Sequence, residues 1–454
     1  MPQRLASQRR SGRDSIRRRT HAPGSGVSES ASHGSVSTSP LARNIPLFYA
    51  FHFLFGFHFW LPVWFLFLRT EHSLSYTQIG LMEVLFGIAT IIAEVPTGAI
   101  ADRFGRRSAL ALSAFGFAAG ITLFAGLGYP LLVLGYALMA VTRTLLSGSG
   151  DALLFDTLRS LGRTGEYERH SGRARALATA ALLVATLFAG PIVSSLGFQA
   201  AVLLSAVGMG CAGVAALLLR EPPRREADFA DSTEPVDEPP VRRHTLHDIV
   251  QAVRIVRTVR PVLWTILLSA VMFATLDLPD FFIQPFIRSH GIDPVDALDA
   301  GFTYSGLMLP SFFGVMLGSI IAAPLAARLG ESRALPTIWL LGGLAMLPLL
   351  LVDHLGLVAA LSLLAASTAI VEPLAGGYIN RRIPSDQRAT VLSVFSLVTA
   401  VMITVVIGSA SALVDSYDFR AGFLFAFALL LVSGLFCLRR WSLSHRHTER
   451  APMP

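Results

Sequence analysis

An all-α membrane protein with twelve spans is the fold class this sequence predicts, and three observations predict it. Of 454 residues, 53% are hydrophobic and 15% charged, whereas soluble domains carry about 25% charged residues. Apolar runs of about 20 residues, the length that crosses a hydrocarbon core, recur along most of the chain. The arginines fall between these runs, and nearly all of them on one side. Barrel strands would show alternation over about ten residues, and the runs show none.

Residues 1–45 are rich in Ser, Gly and Arg, with no apolar core before Ile45. They read as a disordered cytoplasmic tail and not as a secretory signal. Spans follow at 46–68, 77–101, 108–127, 130–155, 173–194 and 197–219. Residues 220–260 open on Arg220-Glu-Pro-Pro, pass through an acidic stretch and end in a basic amphipathic segment from His247 to Arg260. This is a cytoplasmic linker with a surface helix. Six more spans follow at 261–286, 301–327, 334–352, 355–380, 387–413 and 420–438, then a cytoplasmic tail at 439–454. Two bundles, 46–219 and 261–438, result.

The 37 basic side chains are all arginine, and 33 of them lie in the tails, the linker and alternate loops. Arg69, Arg288 and Arg420 lie on the other side, and Arg143 lies inside a span. The positive-inside rule then places both termini in the cytoplasm, in a multi-pass plasma (inner) membrane protein. The net charge of +7 is thus a topology signal and not a nucleic-acid one. Cys211 and Cys437 each fall inside an apolar run and read as core residues without a disulfide.

Between the second and third spans lies Gly98-Ala-Ile-Ala-Asp102-Arg103-Phe-Gly105-Arg106-Arg107. It resembles the loop signature G-x-L-a-D-r-x-G-r-r of the major facilitator superfamily, with Ile100 in place of the leucine. A worn copy, Pro324-Leu-Ala-Ala-Arg328-Leu-Gly330-Glu-Ser-Arg333, stands at the equivalent place in the second half. The resemblance covers about 46–438. It implies two six-helix bundles related by a pseudo-two-fold axis, and a conformational gate at Gly98, Asp102, Arg103, Gly105, Arg106 and Arg107. A positive-inside anchor accounts for Arg106 and Arg107 but not for the glycines or the acid. In the fifth span, Gly190-Pro191 partly matches the superfamily's antiporter motif and marks close helix packing.

Ionisable groups within a bilayer are costly and are functional candidates by default. They concentrate in spans one (His52, His58), four (Arg143, Asp151, Asp156), seven (Asp277, Asp280) and ten (Glu372), with Glu83 and Glu94 in span two. In the family resembled, the first, fourth, seventh and tenth helices line the cavity. Asp277 and Asp280, at i and i+3 around Pro279, share one helix face, and Pro279 with Pro285 predicts a broken helix. Such carboxylates carry protons, or are merely solvated if they lie near the outer surface. Glu372-Pro373 with Gly376-Gly377 predicts a similar break in span ten. Arg143 requires a facing carboxylate or an anionic substrate. Asp151 reads as lining the cavity mouth, Asp156 as pairing with Arg159, and Glu94 as part of the gate or as simply paired with an arginine. At most one of His52 and His58 reaches the cavity, with His58 the candidate. Substrate and proton-coupling candidates are therefore Asp277, Asp280, Arg143, Asp151, Glu372, Glu94 and His58.

The resemblance implies secondary transport by alternating access. The partial fifth-span motif and the aromatic first span, Phe51 to Phe67, favour proton-coupled export of a small amphipathic compound or drug. A nutrient importer or uniporter of the same fold, or a non-transporting membrane sensor, is the alternative. The expected partners are a small-molecule substrate, protons and the lipid bilayer, with no nucleic acid; the expected state is a monomer. No enzymatic activity, cofactor or metal is expected; without lysine no phosphate-binding G-x-x-x-x-G-K-[ST] loop is possible.

Overall fold

The computed structural model describes residues 40–126, 128–222, 254, 256–289, 297–351, 355–383 and 388–450. Residues 1–39, most of the linker with the first part of its amphipathic segment, and 451–454 lie outside the described residues. No strand occurs among the described residues. The first half consists of α1 (Asn44–Phe55), α2 (Trp64–Thr70), α3 (Tyr76–Phe104), α4 (Arg106–Phe124), α5 (Tyr129–Ser160), α6 (Tyr167–Leu196) and α7 (Phe198–Leu218). The second consists of α8 (Arg260–Leu276), α9 (Leu278–Phe281), α10 (Ile283–Ser289), α11 (Ala297–Leu329), α12 (Glu331–Leu351), α13 (Leu355–Asn380), α14 (Arg388–Ser416) and α15 (Phe419–Arg450). Ten helical stretches among the described residues are long and apolar enough to cross a membrane. Ile92, Val207, Ile320 and Val432 stand exposed on outward faces, where hydrocarbon rather than water is the favourable neighbour.

The halves repeat one packing plan. The pairs α3·α5, α4·α5, α4·α7, α1·α7, α1·α6 and α6·α7 recur as α11·α13, α12·α13, α12·α15, α8·α15, α8·α14 and α14·α15. The two most extensive contacts between the halves, α3·α14 and α6·α11, exchange under the same correspondence. Local geometry repeats too. Gly105 (φ 91°) and Gly330 (φ 71°), in the signature loop and its worn copy, both hold the left-handed conformation that glycine adopts without strain.

Three expectations are corrected. The first span is not one helix: α1 ends at Phe55, and the chain runs irregularly to Val63 before α2. Pro62 has no N–H to donate. Gly56 lies so close to α6 that a Cβ there would meet Ala181 Cβ at 3.0 Å. Conversely, span ten is not broken, because α13 continues through Pro373 to Asn380. One proline removes one hydrogen bond, and neighbours on three sides (α8, α11 and α12) hold the helix. Span seven does break, at Asp277 and again at Phe282. There two prolines six residues apart remove two bonds in succession. Finally, Cys437 is buried but Cys211 is exposed on α7, since one side of a peripheral span faces outward.

Helix α3 runs antiparallel to α14. Gly80 approaches Ser411, Val84 approaches Gly408, and Gly87 approaches Thr404, where a Cβ would stand 2.7 Å from the hydroxyl. Small residues let the two backbones close up. The register puts both described chain ends at the same end of the bundle. At the opposite end the halves are sealed together. Asp415 accepts from the amides of Tyr76 (2.8 Å) and Thr77 (2.5 Å) at the start of α3. Arg288 donates to Thr70 at 3.3 Å. Phe65 packs on Phe281 and Phe282, and Tyr76 on Phe419.

Candidate functional site

Where α8 gives way to α9, Asp277 and Asp280 line a cavity of about 350 Å³ between α8–α9, α11 and α13. Phe273, Leu276, Phe312, Val315, Leu361 and Leu364 form apolar walls, with hydroxyls from Ser311, Ser319 and Thr368. At about 1.5 Å per residue, Asp277 stands about 25 Å along from Arg260, with α10 still beyond it. Asp280 is exposed toward this space and Asp277 is half-buried. Both carboxylates therefore lie within the span, at the seam left by its broken backbone.

The first half contributes a facing polar group. Asp277 lies within electrostatic reach of Glu83 on α3. Glu83 accepts a hydrogen bond from the Tyr136 hydroxyl on α5 and lies near Arg143. Tyr136 and Arg143 are seven residues apart, two helical turns, so they share a face of α5. Arg143 also faces His58. The Nδ1 of His58 accepts from Trp60 Nε1 at 3.3 Å, and its ring rests on Phe55 and Phe117. The carboxylate within electrostatic reach of Arg143 is thus Glu83, from its own half. The acidic pair, Glu83, Tyr136, Arg143 and His58 form one polar zone spanning both halves beside the two broken spans.

Other candidates lie elsewhere. Asp151 accepts from Ser171 at 3.3 Å and Arg175 at 3.5 Å, both on α6, toward the chain-end side. Glu94 is exposed on the same half of α3. His52 packs its ring on Phe48 and Phe51, and its Nε2 has no hydrogen-bond partner. Glu372 lies on α13 and Asp102, Arg103 and Gly98 on α3; the side chains of the first three are outside the described residues. Gly190 is buried within α6, which continues through Pro191; the hydroxyls of Ser194 and Ser195 bond to the Pro191 carbonyl.

The signature loop is fastened to the fourth span. Asp156 pairs with Arg106, because the chain reversal at Gly105 brings Arg106 against α5. Arg106 also donates to the Ala152 carbonyl at 2.6 Å, and Arg107 to that of Leu217. The start of α4 is capped by Glu221, whose carboxylate accepts from the Arg106 amide at 2.8 Å and the Arg107 amide at 2.9 Å. Arg220 is held in turn by Asn44, with two bonds of 2.8 Å.

Three functional-looking residues were not assigned a role from sequence. Tyr136 carries no charge, and its only signal is the seven-residue spacing to Arg143. Glu221 lies in a polar linker, where an acid attracts no notice. Gln284, 2% exposed, was visible as a polar residue in span seven. Its bonds to Leu66 N (3.4 Å) and the Leu61 carbonyl (3.3 Å) depend on the break in the first span.

A twofold-repeated helical bundle, sealed at one end and carrying ionisable groups within its spans, is the architecture of a membrane carrier. The profile of the Major Facilitator Superfamily matches residues 47–401 and 300–452. The chain belongs to that superfamily and is a membrane transporter of its type. A segment of 71 residues is 39% identical to the uncharacterized MFS-type transporter YxaM of Bacillus subtilis (strain 168), covering 15% of this chain and 18% of that protein. Among solved structures, the nucleoside transporter NupG is similar at TM-score 0.68 and 15% identity, over 89% of this chain and 99% of that one. A bacterial homolog of the human lysosomal transporter Spinster, inward-facing and unoccupied, is similar at TM-score 0.69 and 15% identity, over 92% and 100%. At that identity the likeness is one of fold.

Proposed function

We propose that this chain is a twelve-span secondary transporter working by alternating access, with both termini in the cytoplasm, and that it exports a small amphipathic compound in exchange for protons. The observation that carries the reading is the pair Asp277–Asp280 at a broken span, lining a largely apolar cavity. Discontinuous spans at corresponding positions of two repeats are the expected mark of a transport site, and here they are the first span and the seventh. With the termini inside, the sealed end is the outer one. The arrangement then fits a carrier open inward, and the Arg106–Asp156 and Glu221 contacts of the signature loop rigidify its inner surface.

The test uses everted vesicles with an acid-inside proton gradient and a panel of amphipathic compounds. Collapse of the gradient on addition of substrate, in wild type and not in Asp277→Asn, is the expected result. Collapse in both variants would remove Asp277 from the coupling path. No collapse with any compound would overturn export. Import is the second reading, favoured by the likeness in fold to NupG; labelled uridine uptake into right-side-out vesicles checks it.

A further inference from the structure

We infer that the cavity at the break of span seven binds a protonated amine carried on a compact apolar body, with Asp280 and Ser311 as its two polar anchors. This deepens the transporter reading above and rests on it for the cavity's role as substrate site. Four observations converge. The space, about 350 Å³, lies at the small end of the roughly 300–1,000 Å³ typical of ligand pockets, which suits one or two rings. Two carboxylates stand on one wall, and none of the described residues lining it is cationic. Phe273, Phe312 and Leu364 supply hydrocarbon for the rest. Hydrocarbon walls suit an organic cation over a small metal ion, which needs several oxygen ligands.

The fourth observation separates kinds of organic cation. Ser311 is 7% exposed and lines the cavity, and its hydroxyl stands against the Asp280 carboxylate with no better-aligned partner among the described residues. Buried polar atoms in native proteins are nearly always paired, and hydroxyl and carboxylate together present one polar corner whose pairing an N–H donor from the ligand completes. An ammonium N–H satisfies it while a second N–H meets Asp280, a charge-assisted bond. A quaternary ammonium has no N–H to give to this corner. A carboxylic acid meets two like charges. Asp277, half-buried and within electrostatic reach of Glu83, relays occupancy to the first half and is not itself a main anchor.

The experiment measures binding to the purified full-length protein in detergent at pH 7.5, by equilibrium dialysis, with no gradient present. The probes are 1-naphthylmethylamine, its N,N,N-trimethyl derivative, 1-naphthylmethanol and 1-naphthylacetate. The amine is expected to bind at least tenfold more tightly than the alcohol or the acetate, and several-fold more tightly than the trimethyl compound. Asp280→Asn weakens the amine at least tenfold. Ser311→Ala weakens the amine several-fold and leaves the trimethyl compound unchanged, a contrast that general loss of folding cannot produce. Equal binding of amine and alcohol, preference for the acetate, or no binding of any probe at millimolar concentration overturns the proposal. Amine binding without gradient collapse in vesicles overturns proton-coupled export and keeps the amine site. Collapse by neutral compounds alone does the reverse.

Discussion

At Gln284 one buried amide serves two backbone groups that the break in the first span leaves outside its helices: the Leu61 carbonyl and the Leu66 amide in the first turn of α2. First-turn amides have no partner within their own helix, and removing a partner from a buried group costs about 1–3 kcal/mol. Gln284→Leu keeps the volume and removes both bonds. It is expected to lower the unfolding temperature of the purified protein, and an unchanged temperature would mean that the bridge does not hold the two broken spans together. Glu221 is a second residue of this kind. Its carboxylate caps α4 where the helix dipole favours negative charge. Glu221→Ala is expected to cost about 1 kcal/mol, and Gly105→Ala about 1–3 kcal/mol from a backbone conformation (φ 91°, ψ 154°) that only glycine adopts freely. Both can be read from thermal unfolding in detergent. The sequence displayed these residues but not their partners. The charge patterning singled out Asp277 and Asp280 because a carboxylate in an apolar run stands out, whereas Tyr136 and Glu221 blend with their surroundings.

Among the elements, α3 and α14 bear the clearest mechanical constraint. The halves meet along Gly80, Val84 and Gly87 against Ser411, Gly408 and Thr404. A Cβ on Gly80 would collide with the Ser411 side chain, so the helices must separate to accept it. Gly80→Val is expected to abolish transport while leaving membrane insertion intact, and Ser411→Gly in the same chain is expected to restore part of it, because it vacates the volume the new side chain needs. Substrate-dependent gradient collapse with quantified membrane protein checks both; failure of the second change to rescue would mean the glycine matters for another reason. The helix boundaries themselves were legible. Predicted spans at 197–219 and 355–380 became Phe198–Leu218 and Leu355–Asn380, because apolar length is what a bilayer selects. Breaks were less legible. The proline pair in span seven predicted its break, yet Pro373 lies in an intact helix and the first span breaks without a proline pair. A break reflects how well the neighbours hold a helix, as well as how many bonds it lacks.

For the whole molecule, alternating access requires the sealed end to open. The bonds from Asp415 to the start of α3, the Arg288–Thr70 bond and the Phe65–Phe281 contact must then separate together. Cysteines replacing Thr77 and Asp415, in a chain whose native Cys211 and Cys437 have been removed, are expected to stop transport on oxidation and to restore it on reduction. Transport by the oxidised protein would mean that this end stays closed throughout the cycle. The sequence by itself determined the helical class, the order of the elements, the repeat of the signature loop and the break at Asp277. All of these follow from local rules of apolar length, glycine conformation and the missing proline amide. Only the tertiary structure decided which groups meet: Glu221 on α4, Arg106 with Asp156, Gln284 against the first span, Glu83 with Tyr136. Each of those pairings joins residues many positions apart. Which side chains face one another there depends on how the helices pack and on where their backbones part, and no local pattern in the chain carries that information.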